Sequence, residues 1–309
     1  MLGLLDYLLG SVELGFLYAV MALGVYLTFR ILNFPDLTVD GSFTTGAGIA
    51  AAMILTGYSP WVATIVAFVG GMLAGTVTGL LHTKGKINPL LAGILMMIAL
   101  YTINYRIMGR PNIPLLGQET LFPRGDIWPF VTYALIMAPI IAVTAKLLLD
   151  WFLRTDLGFA LRATGDNPRM IRSFGVNTDR TIVLGVALSN GMVAMAGAFV
   201  GQYQGFADLQ MGIGMIVIGL ASVIIGEVLF GARTIIRATL AVILGAVVYR
   251  IVIAIALRYG LEATDMKLMT ALIVIIALIV PMMNKRRREK KIGARRSKEL
   301  AEGGVGGNA

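Results

Sequence analysis

Few residues in this chain could do chemistry, and most of them sit in one stretch. From Arg154 to Arg180 the sequence carries five Arg and three Asp in the middle of otherwise apolar text. Within it Asn167 can cap a helix, Pro168 suits a first helical position, and Gly175 supplies a left-handed stop. A helix of about two turns is therefore expected over Asn167–Phe174. On it Met170 and Phe174 fall at i and i+4, Ile171 lies beside them, and Arg169 and Arg172 flank the stripe. Apolar anchors with a charged rim make a docking surface, not a catalytic one. The bland alternative is a loop folded against its own domain.

Other chemistry is sparse. His82 is the one histidine and has no carboxylate near it in sequence, so a solvated loop residue is expected. With no Cys there is no disulfide framework, thiol nucleophile or iron–sulfur site. Gly85-Lys86 runs into Ile87 without the glycine spacing of a phosphate loop, so any ATP involved must bind another chain. Metal-ligand spacing of His, Cys and carboxylates is missing too. Polar residues at or inside apolar runs remain: Asn33, Asp36, Thr38, Ser42, Asn190 and Gln204 are candidates to line a pathway. Asn190 could equally be glue between helices. Gln202 and Gln204 fall in what reads as a solvated outer loop. Glu13 is expected in the first turn of a helix capped by Ser11, and Glu227 at an interface or paired with Arg233 or Arg237. No paired acidic relay of the kind a proton-driven carrier uses stands out.

The elements that hold these residues are membrane helices. Of 309 residues 57% are hydrophobic and 14% charged, with a mean hydropathy of +0.82; soluble domains are far more charged. The net charge of +9 is concentrated in Lys285–Lys298, which has nine Lys or Arg against one Glu. That block suits a cytoplasmic membrane flank better than nucleic acid. One all-α transmembrane domain over residues 1–284 is expected, then a disordered basic tail over 285–309. The N-terminus lacks the basic start of a cleavable signal, so it is read as mature. Apolar runs give eight or nine spans. The count depends on Asn33–Gly41, where Pro35 breaks the text and leaves Gly41–Thr56 short for a span. A half-helix starting inside the protein and an ordinary cytoplasmic turn both fit. With the tail inside, loops 82–86, 151–180 and 233–237 also fall inside and collect the positive charge. Loops 57–60, 106–128, 201–210 and 258–266 then fall outside.

Leu161–Arg180, ending in Gly175-Val-Asn-Thr, resembles the cytoplasmic loop of permease subunits of bacterial ABC importers for branched-chain amino acids and their relatives. The likeness extends to Tyr18–Ile31 with the Asn33-Phe-Pro break, to Ser189–Gly201 and to the late glycine-rich helix. Asn33–Phe43 is similar to a subgroup associated with aromatic amino acids. The resemblance implies a coupling helix at about Asn167–Phe174 fitting a groove on a cytoplasmic ATPase. It also implies a second permease copy (identical or paralogous), an ATPase dimer using ATP and Mg, and an extracytoplasmic solute-binding protein. This chain would then bind no cofactor of its own and sit in the bacterial inner membrane with its C-terminus cytoplasmic. Glu227 departs from the family's glycine-rich, uncharged pattern there. The alternative class is an ion- or proton-coupled secondary transporter.

Overall fold

The computed structural model describes residues 2–123, 126–128, 131–258, 268, 270–272 and 275. The expected last span, Lys267–Met283, and the basic tail at 285–309 lie outside the described residues for the most part. Ten α-helices are described: α1 Leu2–Tyr26, α2 Thr38–Leu55, α3 Pro60–Thr83, α4 Pro89–Met108, α5 Tyr133–Phe152, α6 Asp156–Asp166, α7 Pro168–Ser173, α8 Thr178–Gln204, α9 Met215–Phe230 and α10 Ile235–Arg258. Four short strands complete the described elements: β1 Asn112–Pro114, β2 Asp126–Trp128, β3 Val131–Thr132 and β4 Phe206–Asp208. The all-α expectation holds apart from these strand pairs.

Six helices are long and apolar enough to cross a bilayer: Leu8–Ile31, α3, α4, α5, α8 and α10. The passages α2 and α9 do not reach that standard, so the described residues hold six where eight or nine were expected for the whole chain, most of the expected last span lying outside them. The difference has a physical cause. α9 has only 16 residues, and α2, although 18 long, carries Asp40 with several Gly, Ser and Thr that lower its hydropathy.

The start of the chain differs from expectation as well. α1 runs unbroken past Ser11 and Glu13, so neither sits at a helix start. Nothing in Leu8–Val12 breaks a helix, and continuity satisfies more backbone bonds than a cap at Ser11 would. α1 then loosens into a π-helical turn at Leu27–Ile31 and stops ahead of Pro35. Asn33 takes a left-handed backbone, φ 53°, which an Asn tolerates better than most residues. Asn88-Pro89, an apparent interruption, is the start of α4: the Asn88 side chain accepts from Leu90 N with Pro89 next in line.

α2 lies at the centre. Most of its residues are buried, against α3 and α8 above all. Backbone contact makes this possible: a Cβ at Gly46 would lie 1.8 Å from the Ala194 carbonyl oxygen of α8. Small residues along α2, α3 and α8 thus let three helices approach more closely than side chains normally allow.

β1 pairs antiparallel with β4, placing the 106–128 and 201–210 connections at one end, next to the α2–α3 turn. The break at 32–37, His82, α6 and α7 gather at the other end. That grouping agrees with the charge distribution of the loops.

Candidate functional site

Two features stand out from the apolar bundle: a buried polar cluster at the helix break and an exposed helix beyond it. The cluster assembles from three helices. Asn190, near the middle of α8, is 0% exposed, and Asp36 is 1% exposed. Asn190 Nδ2 donates to Asp36 Oδ2 (2.6 Å), and Ser42 Oγ donates to Asn190 Oδ1 (2.7 Å). The second Asp36 oxygen accepts from Thr38 N at 2.9 Å, holding the first turn of α2. Thr38 Oγ1 shares a 2.9 Å hydrogen bond with Thr78 Oγ1 of α3. α2 begins beside the middle of α8 and its first residues are buried, as the half-helix reading expects.

Asp40, one turn along, does something its position in sequence does not reveal. Its carboxylate accepts from Gly214 N and Ile216 N, both 2.8 Å, and so caps the start of α9. The N-termini of two interior helices are thus each met by a carboxylate from the same Asp36–Asp40 segment. Free N–H groups and the positive end of the helix dipole explain why acids are placed there.

Of the six pathway candidates, Asp36, Thr38, Ser42 and Asn190 come together. Asn33 is exposed at the break, and Gln204 is half-buried at the far end of α8. Gln202 is not in a solvated loop: it is buried in the last turn of α8, donating to Thr64 Oγ1 (2.9 Å) and accepting from Leu121 N (3.2 Å). It borders a cleft of about 620 Å3 at the β1–β4 end. Glu13, 4% exposed, accepts from Tyr203 Oη at 2.7 Å and from Thr132 Oγ1. Glu227 pairs with neither Arg233 nor Arg237 but with Arg30, Nε to Oε1 2.9 Å, tying α9 to the π-helical turn. His82 is half-buried in the last turn of α3, its Nδ1 bonded to Ile87 O (2.8 Å) and its ring edge-on to Phe34. Thr78 lies on a small-residue face of α3 with Ala74 and Gly75, and Asn104 of α4 accepts from Thr45 Oγ1 (2.8 Å) and donates to Gly41 O (3.1 Å).

α7 forms where expected. Asn167 Oδ1 accepts from Met170 N at 3.1 Å, Pro168 opens the helix, and Gly175 has φ 84°. No residue of α7 is buried. Met170 is 50% and Phe174 74% exposed, Arg169 is exposed and Ile171 half-buried. Arg172 turns back to Thr178 Oγ1 (2.6 Å) and Asp179 Oδ1 (3.5 Å), bracing the helix on the first turn of α8. What remains presented is the apolar stripe.

A family described as branched-chain amino acid transport system, permease component, matches residues 7–281. The chain belongs to this family. Among permease relatives, the tyrosine transport system permease protein of Clostridioides difficile is 47% identical over 266 residues, covering 86% of this chain and 88% of that one. The high-affinity branched-chain amino acid permease protein LivH of Escherichia coli is 26% identical over 67% of this chain and 74% of its own. A solved metal-chelate type ABC transporter in an inward-facing conformation shares the fold: TM-score 0.50, 15% identity, 90% of this chain and 85% of that chain. As an ABC importer permease component, the chain is a multi-pass membrane protein. Among the described residues no group of three or more His, Cys, Asp or Glu could hold a metal.

Proposed function

We propose that this permease forms the membrane pathway of an ABC importer for an aromatic amino acid, with tyrosine the first candidate. The observation that carries the substrate class is the 47% identity to the tyrosine permease across nearly the whole of both chains. A second permease copy would complete the pathway, and a solute-binding protein would deliver the amino acid outside. Hydrolysis of Mg-bound ATP is assigned to a cytoplasmic ATPase dimer, and the permease itself is no enzyme. We place the chain in the bacterial inner membrane with the basic C-terminus in the cytoplasm. Counting α2 and α9 with the six long helices gives eight crossings or partial crossings among the described residues.

α7 is the ATPase contact in this reading. Its apolar stripe keeps Met170 and Phe174 uncovered beside half-buried Ile171, with Arg169 at the rim, and an exposed apolar stripe of this kind suits a partner groove. Asn33 and Gln204, the accessible members of the polar set, would face the pathway near its two ends. Asp36, Thr38, Ser42 and Asn190 would frame it by fixing the break.

The test is purification of the permease with its ATPase from native membranes, followed by tyrosine and leucine uptake into vesicles with the binding protein added. ATP-dependent tyrosine uptake is expected. Changing Met170→Asp together with Phe174→Asp should remove the ATPase while leaving the permease in the membrane. Full retention of the ATPase by that folded double variant would exclude α7 as the contact.

A further inference from the structure

We propose that Gly165 is the positioning residue through which movement of the docked α7 reaches the broken membrane passage. The inference rests on the permease reading and assigns a joint that the reading leaves open. A Cβ built on Gly165 would lie 2.0 Å from the Ile31 carbonyl oxygen and 3.0 Å from Leu32 Cα. Both are backbone atoms that cannot swing aside, so closeness, not an unusual dihedral, demands glycine here. α6 therefore rests directly on the chain where α1 ends.

A second contact secures the same place. A Cβ on Gly185 of α8 would meet Leu161 Cδ1 at 2.6 Å and Leu32 Cδ2 at 3.2 Å, so Leu32 sits between α6 and α8. Leu161 and Leu32 are both buried. At its other end α6 is seated by Gly158, whose Cβ would lie 2.2 Å from the Phe152 carbonyl oxygen. Only Asn167 separates α6 from α7, and α7 itself buries nothing. A push on α7 is thus carried by α6, a stiff helix held at both ends.

What it pushes on is a stretch between α1 and α2 that lacks regular helical hydrogen bonds. Between Ile31 and Thr38 the backbone is irregular and passes through the left-handed Asn33. This segment touches three passages, and the π-helical turn before it a fourth: Phe34 meets His82 of α3, Asp36 accepts from Asn190 of α8, Leu37 N would lie 2.6 Å from a Cβ on Gly93 of α4, and Arg30 bonds Glu227 of α9. Irregular segments joined to several rigid helices are where hinge motion is absorbed and shared.

The experiment uses the reconstituted permease–ATPase complex with Gly165→Ala and Gly165→Val. Both variants should keep the ATPase bound and hydrolysing ATP. Solute taken up per ATP hydrolysed should fall roughly tenfold or more, with Val worse than Ala. Loss of packing alone would lower both activities together and leave that ratio unchanged. An unchanged ratio in folded variants overturns the proposal; failure of the unmodified permease to bind any ATPase would instead overturn the permease reading. Should the variants not fold, hydrogen exchange of the unmodified complex decides. Trapping it with a non-hydrolysable ATP analogue should alter protection in 31–38 together with 156–175. Protection that changes in 156–175 and stays constant in 31–38 also overturns it.

Discussion

Asn190 shows how much one buried amide can hold. It donates to Asp36 and accepts from Ser42, and its Nδ2 also reaches the Val186 carbonyl at 3.0 Å. Removing a partner from a buried polar group costs about 1–3 kcal/mol, and more when the group is charged. Asn190→Asp would set a second carboxyl against Asp36, so it should lower the thermal unfolding midpoint in detergent more than Asn190→Ala does. Equal midpoints for the two variants would mean the Asp36 contact contributes little. Glu227 is a different case. Its Arg30 partner has 61% of its side chain exposed, and ion pairs of that kind contribute under about 1 kcal/mol. Glu227→Gln should therefore leave the midpoint nearly unchanged, whatever it does to transport.

Among the elements, α2 depends on backbone contact more than on its own sequence hydrophobicity. Gly46 faces the Ala194 carbonyl, which is fixed in α8, whereas Gly70 of α3 faces Ile49 Cδ1, the tip of a flexible side chain. Gly46→Ala must separate two helices and should destabilise by about 1–3 kcal/mol or more. Gly70→Ala, at 2.5 Å from a side chain able to rotate, should cost much less. Comparing the unfolding midpoints of the two variants checks the distinction. α7 was legible at this scale because its signals are local: a cap, a proline and a glycine within nine residues. The body of α9 was legible as the late glycine-rich helix, but its start was not, because the cap is Asp40, far away in sequence.

For the whole molecule, energy is expected to enter through a partner. Uptake should stop when the ATPase is removed and persist when an ionophore collapses the ion gradients; the reverse pattern would favour a secondary transporter. Much of this was written in the sequence. Apolar runs located the long spans, positive loops sorted the two ends, and Asn167–Gly175 described its own helix, because hydropathy, charge and capping act over short distances. Tertiary structure alone decided the rest. It set Asp36 against Asn190, gave Glu227 to Arg30 and buried Glu13 and Gln202, since partners for buried polar groups come from whichever helix lies alongside. The polar stretch around α7 is only half of the proposed joint. The other half is the break beneath Gly165, and only folding brings the two together.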